Sequence, residues 1–319
     1  MALFKPHKTA PAPDEPPPAS PASPASPAPL GPDLAAVRAL ALAAAEREGL
    51  SIDPDASGPD WFQLVDGDII NLQRLFGIAA AAAPADWPEL VSQWSAATLE
   101  SMRATPAEQL GEEELRQRIR ARLWPTIGTD LEDFPYARRI VTGLAQVLCL
   151  DYPTSVACLM GDRPHHLALP IDELYAQGLA NVLAEPCPAP QQTSIEGLFE
   201  ISDGSLWIAS KAASFGSLVP DVIGPAPRGA FLMVPRDDLL CYAPVVGEDW
   251  MRLPGIVANL AMALAREAHS EGAMLSPIAY YWAPDGTLER CSGNSPEGEL
   301  AVTPGPAFTR YLLEVGTDQ

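Results

Sequence analysis

The sequence has little positive charge and almost no lysine. Its 319 residues carry 20 lysines and arginines against 41 acids, and Lys211 is the only lysine beyond residue 8. The net charge of −21 argues against a general nucleic-acid binder, because an acidic chain repels phosphate backbones. It argues equally against binding to anionic lipid. Solubility explains the acidity, and an acidic face for a basic partner is the functional alternative.

Long apolar runs are missing, and cysteines are few. No run reaches the roughly 18 residues of a membrane span, so no transmembrane helix is expected. The start of the chain lacks the apolar core of a signal peptide. The five cysteines are widely spaced and form no C-x-x-C pair. Cys149, Cys158 and Cys241 lie in apolar runs and are expected to be small buried hydrophobes, which predicts a reduced, cytoplasmic protein.

Motifs for nucleotide binding and for serine hydrolysis are also missing. The chain contains no G-x-x-x-x-G-K-[ST], G-x-G-x-x-G or G-x-S-x-G, so no cofactor is expected. A zinc site needs three or four convergent ligands. The adjacent His165 and His166 point to opposite faces of an extended segment and cannot readily share a metal. His269 lies near a predicted helix C-terminus, where a cation is favourable.

Composition divides the chain into a tail and a globular region. Residues 1–32 are rich in Pro, Ala and Ser, which predicts a disordered tail that acts as a spacer. Residues 33–319 are predicted to form one globular region, helix-rich in 33–190 and hairpin-rich in 191–319. The Pro-rich connection 185–193 is the best candidate for an internal boundary.

The helix-rich half shows apolar residues at helical spacing. Helices are expected at 34–48, through Leu72 and Phe76, from Asp86 to Leu99, at 112–123 and from Asp172 to Val182. The segment 112–123 has acids in its first turn and arginines later, which suits a helix dipole. Short strands are expected at 61–65, 147–150 and 156–160.

The hairpin-rich half is punctuated by turn signals. Asp203-Gly204 supplies the positive φ of a type I′ turn and predicts a hairpin at 198–209. Asp285-Gly286 separates the two arms of a third hairpin, expected at 278–291. The central hairpin, 231–243, has two apolar arms around a charged break. A helix is expected at 254–269.

Together these elements predict an α+β fold with a mainly antiparallel sheet built from hairpins, flanking helices and a disordered N-terminal tail. A last short helix is expected at 306–315.

The tip of the central hairpin is the sharpest candidate site. Pro235 presets one turn position and Asp is a favoured turn residue, so a charged turn in which Arg236 pairs with a neighbouring carboxylate explains the sequence structurally. The functional alternative is an anion-recognising arginine held by Asp237 or Asp238. Paired carboxylates also suit general acid–base catalysis, although adjacent Asp residues in a turn rarely converge on one atom.

Ser210 is the remaining candidate binding residue. It precedes Lys211, and Ser–Lys pairs act in nucleophilic catalysis. Adjacent side chains seldom reach each other, so N-capping of a helix by Ser210 is the preferred interpretation.

The order of these segments resembles the YtpQ-like family of uncharacterised bacterial proteins. The motifs that carry the resemblance are Asn71-Leu72, Leu150-Asp151, Trp207–Ser210, Val234–Asp237, Leu275–Pro277 with Tyr280, and Asp285-Gly286. The resemblance spans residues 60–291 and implies an α+β domain without assigned catalytic residues. It offers Arg236, Asp237 and Ser210 as family-like positions. The Pro-rich tail lies outside it, and Leu72-Gln73 and Cys149-Leu150 depart from the pattern.

Three hypotheses for function follow. The leading one is a non-enzymatic protein-binding module with an acidic surface and the tail as a tether, because a catalytic constellation is missing and the hairpins are strongly apolar. The alternative is an enzyme with a site around Arg236 and Asp237, which requires these residues and His165 or His166 to line one concave pocket. The third is an acidic toxin-neutralising or chaperone-like partner, which depends on the acidity alone.

Overall fold

The structure is a computed structural model of the chain. It describes residues 32–314, with gaps at 60, 66–68, 81, 104, 130, 153–154, 203, 248, 271–273 and 295–299. The predicted disordered tail, apart from its last residue, lies outside the described residues. Where the chain is described, no helix is long and apolar enough to span a membrane.

Helices and antiparallel strands alternate along the described chain. The α-helices are α1 (Pro32–Arg47), α2 (Gln73–Ala80), α3 (Trp87–Arg103), α4 (Glu112–Arg118), α5 (Ile171–Ala184), α6 (Leu253–Ser270) and α7 (Pro306–Phe308). The strands are β1 (Ile52–Asp53), β2 (Trp61–Leu64), β3 (Ile69–Asn71), β4 (Ile119–Pro125), β5 (Arg138–Val141), β6 (Leu144–Tyr152), β7 (Ser155–Cys158), β8 (Gln191–Gln192), β9 (Phe199–Ile201), β10 (Ala230–Arg236), β11 (Leu239–Pro244), β12 (Ala279–Trp282), β13 (Leu288–Arg290), β14 (Ser292–Asn294) and β15 (Leu300–Val302).

Short 3₁₀ and π-helical segments connect these elements. They are Pro84–Asp86, Ala107–Gln109, Arg163–His166, Ala209–Leu218, Val219–Ile223, Asp249–Arg252 and Thr309–Glu314. The helix predicted at 306–315 is confirmed in outline, because α7 runs directly into the last of these segments.

The N-terminal part of the described chain is a small antiparallel sheet, β1-β2-β3, covered by helices. Helices α1, α2 and α3 enclose a core around Phe62, Leu72 and Leu75, each at most 1% exposed. The helix predicted at 34–48 and the strand predicted at 61–65 are confirmed as α1 and β2.

A second antiparallel sheet has β6 at its centre. β4 pairs along one edge of β6, while β5 and β7 share the other edge. Helix α5 packs so closely on β4 that a side chain on Gly178 would meet the backbone of Ala121 at 2.8 Å. The strand predicted at 147–150 is confirmed within β6, and the one predicted at 156–160 is confirmed as far as Cys158, where β7 ends.

The helix predicted at 112–123 is wrong beyond Arg118. Helix α4 ends there, and Ile119 adopts the extended φ and ψ of −64° and 136°. Burial then alternates along β4, with Ile119 buried and Arg120 partly exposed. This period of two is that of a strand with one apolar face, and it overrides the dipole-compatible charge pattern. Helix α4 keeps the part of that pattern from Glu112 to Arg118, while Arg120 and Arg122 lie on β4.

A six-stranded antiparallel sheet forms the C-terminal part, in the order β13-β12-β10-β11-β9-β8. Alternate side chains of its central strands fill two cores. Leu232 and Tyr280 belong to a core shared with the 3₁₀ segment Ala209–Leu218. Phe231 and Tyr281 belong to a core shared with α6. Because both faces are covered, the central strands are apolar throughout.

These three sheets and their helices confirm the α+β class with antiparallel pairing. The hairpins predicted at 231–243 and 278–291 are confirmed as β10–β11 and β12–β13, and the helix predicted at 254–269 is confirmed as α6. A small further pair, β14–β15, follows the last hairpin.

The hairpin predicted at 198–209 is wrong. Its first arm is β9, but β9 pairs with β11 and β8. Residues 206–209 instead lead into the 3₁₀ segment, and Trp207–Ala209 are buried consecutively. β9 pairs with the long, apolar strand β11. Residues 206–209 therefore pack against the face of the sheet instead of pairing with β9. Asp203, the first residue of the predicted turn, lies outside the described residues.

Lys211 is fully buried, and its ammonium caps α5. Nζ donates to the carbonyl oxygens of Val182 and Glu185, each at 2.7 Å. The C-terminal end of a helix exposes carbonyls without amide partners and carries the negative end of the dipole. Lys211 therefore joins the 3₁₀ segment beneath the six-stranded sheet to the helix of the second sheet.

Replacing Lys211 with Met keeps the bulk of the side chain and removes its donors. We expect the free energy of unfolding to fall by about 2–4 kcal/mol, because two carbonyls lose charge-assisted hydrogen bonds in a buried site. Urea denaturation followed by circular dichroism measures the change. Arg47→Met, at the exposed end of α1, is the control and should cost less than about 0.5 kcal/mol. An unchanged transition for Lys211→Met would contradict the capping role.

Candidate functional site

The tip of the central hairpin lies against β4 rather than in solvent. Arg236 pairs with Leu239, so the turn consists of Asp237 and Asp238 alone. The charged break predicted between the two apolar arms therefore includes Pro235 and Arg236, which belong to β10. The strand register shifts between Met233 and Arg236, and Pro235, which has no N–H to donate, lies at this irregularity.

Asp237 attaches the tip to β4. Its Oδ2 lies 2.5 Å from Nη2 of Arg122, a residue 115 positions away in sequence. Only 16% of the Arg122 side chain and 21% of the Asp237 side chain are exposed. The backbone carbonyl of Asp237 also accepts the N–H of Ala209 at 2.9 Å. The tip is therefore fixed by both its side chain and its backbone.

The electrostatic environment keeps Arg122 charged. Burial opposes the charged form, since the guanidinium loses its hydration. Attraction to the Asp237 carboxylate nevertheless raises the pKa of Arg122 above its ordinary value. Asp237 thus has a permanent counter-ion.

Arg236 and Asp238 form a second, more exposed pair across the same turn. Arg236 Nε lies 2.8 Å from Asp238 Oδ1, and their side chains are 36% and 27% exposed. This geometry agrees with the structural interpretation of the turn, in which Arg236 pairs with a neighbouring carboxylate. An anionic ligand at this position would compete with Asp238 for the guanidinium.

Ser210 lies inside the 3₁₀ segment and is fully buried. Its expected role as a helix cap is wrong, because the cap position is Ile208 and no side chain caps it. The Ser210 hydroxyl accepts the N–H of Leu123 at 2.9 Å instead, which satisfies the free edge of β4. The two side chains therefore bind different elements. The Ser210 hydroxyl binds the backbone of β4, and the Lys211 ammonium binds the C-terminal carbonyls of α5.

Two cysteines lie beside the Arg122–Asp237 ion pair. Cys149 on β6 is directly opposite Cys158 on β7, and their sulfurs are 2.8 Å apart. The next pair along, Leu148–Leu159, is joined by an N–H···O bond of 2.9 Å. The cysteines therefore occupy a non-hydrogen-bonded position, where facing side chains approach most closely.

The two thiols are electrostatically unequal. Cys149 is buried, as the sequence predicts, whereas Cys158 is partly exposed. Burial raises the pKa of the Cys149 thiol. The pKa of Cys158 is lowered, first by the hydrogen bond that Cys149 donates and then, against burial, by the Arg122 guanidinium. Cys158 is thus the thiol closer to ionisation.

Reasoning from sequence missed this cluster, although one signal for it exists. Tyr152 pairs with Ser155, so two residues separate β6 from β7. Counting outward from a two-residue connection places Cys149 opposite Cys158. The helix predicted at 112–123 conceals Arg122, whose position on a strand is what directs it toward the thiols.

The histidines do not join the hairpin tip. His165 and His166 are exposed on their 3₁₀ helix, where His166 contacts Asp162 at 3.0 Å. His269 is exposed near the end of α6. Among the residues that the structure describes, no three His, Cys, Asp or Glu residues form a cluster suited to a metal ion.

Two of the surface cavities that described residues form bear on the enzyme hypothesis. A groove of about 600 Å³ along α6 is lined by Ile195, Arg252, Gly255, Ile256, Asn259, Leu260 and Ala263. A cavity of about 440 Å³ at the ends of β4 and β5 is lined by Thr126, Ile127, Arg139, Ile140, Val141, Thr142 and Gly143. The enzyme hypothesis requires Arg236, Asp237 and a histidine to line one pocket together. None of these residues lines either of the two cavities.

Comparisons with protein-family models, with curated proteins and with solved structures found no match. The resemblance to the YtpQ-like family stays a prediction from short motifs. Functional proposals for this chain consequently depend on its own geometry.

The two turn carboxylates allow a matched test of the attachment to β4. Asp237→Asn should lower the free energy of unfolding by about 3 kcal/mol, because it leaves the largely buried charge of Arg122 uncompensated. Asp238→Asn should cost less than about 1 kcal/mol, since its ion pair is more exposed. Urea denaturation measures both variants, and equal losses would mean that the turn, rather than the ion pair to β4, fixes the tip.

Proposed function

We propose that this protein is a non-enzymatic binding module that holds a basic, amphipathic helix of a partner protein in the groove along α6. One observation carries the proposal. The outer side of helix α6 carries the apolar side chains of Ile256, Leu260 and Ala263 beside the polar Arg252 and Asn259, in addition to the buried residues that face the sheet.

The two sets of residues occupy different sides of α6. Val257, Ala258 and Ala261 are at most 1% exposed and pack against the six-stranded sheet. The groove residues at positions 252, 255, 256, 259, 260 and 263 recur at the helical intervals of three and four. They line about three turns of the helix, or roughly 17 Å.

The shape of the groove suits a second helix. Ile256 and Leu260 supply partly buried apolar surface, while Gly255 and Ala263 are small enough for another helix to approach closely. A helix that lays its apolar face into a groove is a recurring mode of protein recognition.

Two further apolar side chains are exposed on the connection that leads into α6. Met251 is 75% exposed and Val246 is 59% exposed, both on the connection between β11 and α6. Methionine adapts readily to different binding partners because its side chain is unbranched and polarisable. These side chains enlarge the area available to a partner.

The charge of the chain favours a basic partner. The two lysines and two acids of residues 1–31 cancel, so the surplus of −21 lies entirely in residues 32–319. Glu267 is exposed one turn beyond Ala263, and Glu196 is exposed next to Ile195. Arg252 lines the groove, so the attraction of a basic partner depends on the net charge of the chain, which accelerates encounter with a partner of opposite sign.

A labelled helical peptide of alternating Leu and Lys pairs tests the groove, with fluorescence anisotropy as the measurement. Wild-type protein should bind it, and Ala263→Glu should weaken binding at least tenfold, because the longer, charged side chain fills the apolar groove. Ala39→Glu adds the same charge at an exposed position of α1 and should leave the affinity within about twofold.

The outcomes separate groove binding from charge attraction. Tighter binding by Ala263→Glu, or equal effects of the two variants, would show attraction by charge alone and would overturn the proposal. Dimerisation of the protein that Ala263→Glu abolishes, seen by analytical ultracentrifugation, would identify a second copy of this chain as the occupant and would likewise overturn it.

A further inference from the structure

Independently of partner binding, we propose that Cys149 and Cys158 form a peroxide-reactive dithiol. Cys158 is the thiol that reduces a small hydroperoxide, and Cys149 then resolves it into a reversible disulfide across β6 and β7. The proposal depends on the geometry of the thiols with Arg122 and not on the groove along α6.

The backbone already places the two cysteines for a disulfide. A non-hydrogen-bonded antiparallel pair has Cα atoms about 4.5 Å apart, which lies within the range that disulfides adopt. The sulfurs at 2.8 Å are within about 0.8 Å of bonding distance. Formation of the bond therefore requires side-chain adjustment and no rearrangement of the sheet.

Burial and hydrogen bonding assign different roles to the two thiols. Cys158 is partly exposed and Cys149 is fully buried, so Cys158 is the cysteine nearer to solvent. The Cys158 sulfur lies 2.8 Å from the Cys149 sulfur, and the hydrogen bond from Cys149, followed by the positive charge of Arg122, lowers the pKa of Cys158 and favours its thiolate. Cys149 is fully buried and keeps its proton, so it acts second.

The charges around the two thiols favour ionisation of Cys158 rather than of Cys149. Arg120, which pairs with Cys149 across β4 and β6, is already neutralised by Asp151 at 3.2 Å and Glu185 at 2.7 Å. Arg122 shares its charge between Asp237 and the thiols. Arg122 is therefore a positioning residue for Cys158, and Asp237 limits how strongly it activates the thiol.

The chemistry balances with hydrogen peroxide as the oxidant. The Cys158 thiolate attacks one peroxide oxygen, the O–O bond breaks, and the departing hydroxide takes a proton to form water. This step leaves a sulfenic acid on Cys158. The Cys149 sulfur then attacks the Cys158 sulfur, the S–O bond breaks, and hydroxide leaves with the Cys149 proton as a second water. The two thiols lose two electrons, which reduce one peroxide.

A small oxidant fits the site better than a protein disulfide. Cys158 lies on β7 near the hairpin tip, which the ion pair between Asp237 and Arg122 holds against the sheet. Exchange with a protein disulfide begins with attack by the same Cys158 sulfur, but it needs room for a whole second chain beside the hairpin tip. Hydrogen peroxide needs room for one small molecule only.

The first test treats the whole protein with a small excess of hydrogen peroxide, followed by alkylation in acid and peptide mass spectrometry. We expect one disulfide between Cys149 and Cys158, seen as the loss of two hydrogens and reversed by dithiothreitol. Cys241 and Cys291 should stay reduced, because burial raises the pKa of each to about 12. Cys187 is partly exposed and is the internal comparison.

Variants separate the two roles. Cys149→Ser should leave Cys158 as a sulfenic acid that dimedone traps, because the serine hydroxyl still donates to the sulfur but cannot form a disulfide. Cys158→Ser should abolish the reaction of Cys149, and Cys187→Ser should leave the Cys149–Cys158 disulfide unchanged. Preferential oxidation of Cys187, or trapping at Cys149 in the Cys158→Ser variant, would overturn the proposal.

The pH dependence of alkylation tests the positioning role of Arg122. Iodoacetamide should modify Cys158 with a midpoint below that of Cys187 in the same protein, since the thiolate is the reactive form. Arg122→Gln should shift the Cys158 midpoint upward and slow its oxidation at neutral pH at least tenfold, with the Cys187 midpoint unchanged. A Cys158 midpoint at or above that of Cys187 in the wild-type protein would contradict activation by Arg122.

Discussion

The ion pair between Arg122 and Asp237 is the constraint on which the arrangement of the two larger sheets depends. It joins β4 of the second sheet to the hairpin tip of the six-stranded sheet. Removing two charges from water is costly, so such a pair persists only with close geometry and further hydrogen bonds. Those further bonds run from Ala209 to the Asp237 carbonyl and from Leu123 to the Ser210 hydroxyl.

Apolar contact and polar contact make different contributions to this junction. Leu123 and Leu144 of the second sheet share a core with Leu232 and Tyr280 of the six-stranded sheet, and this burial favours association without fixing a register. The polar links are directional and fix it. A slip of β4 by one residue would exchange its two faces and leave Asp237 opposite an apolar side chain. The capping of α5 by Lys211 adds a third fixed point at the same junction.

Local signals in the sequence predict where the strands and helices lie better than they predict which strands pair with each other. The hairpins at 231–243 and 278–291 follow from apolar arms around turn residues, which are local features. The hairpin expected at 198–209 fails because β9 pairs with β11, a choice that sheet order decides. The segment 112–123 fails because helical charge pattern and strand alternation overlap in it, and tertiary packing against α5 favours the strand after Arg118.

The candidate site shows the same division. The sequence singles out Asp237 and Ser210, and both lie at the junction of the sheets, but their partners Arg122 and Leu123 are far away in the chain. No spacing rule links residues that are 115 positions apart. The thiol pair is local and follows from register alone, whereas its activation by Arg122 follows from the tertiary contact.

The central hairpin connects the two proposed sites while keeping them apart. Its tip meets Arg122 beside the thiols, and its Phe231 and Met233 side chains belong to the core beneath α6. The groove lies on the outer side of α6, so the helix and the six-stranded sheet separate it from the core that the sheet shares with β4. A disulfide at Cys149 and Cys158 therefore reaches the groove only through displacement of the tip. Since the Asp237 backbone also bonds to Ala209, that displacement would require both attachments of the tip to break. The two activities are consequently expected to be independent as long as the Arg122–Asp237 pair is intact.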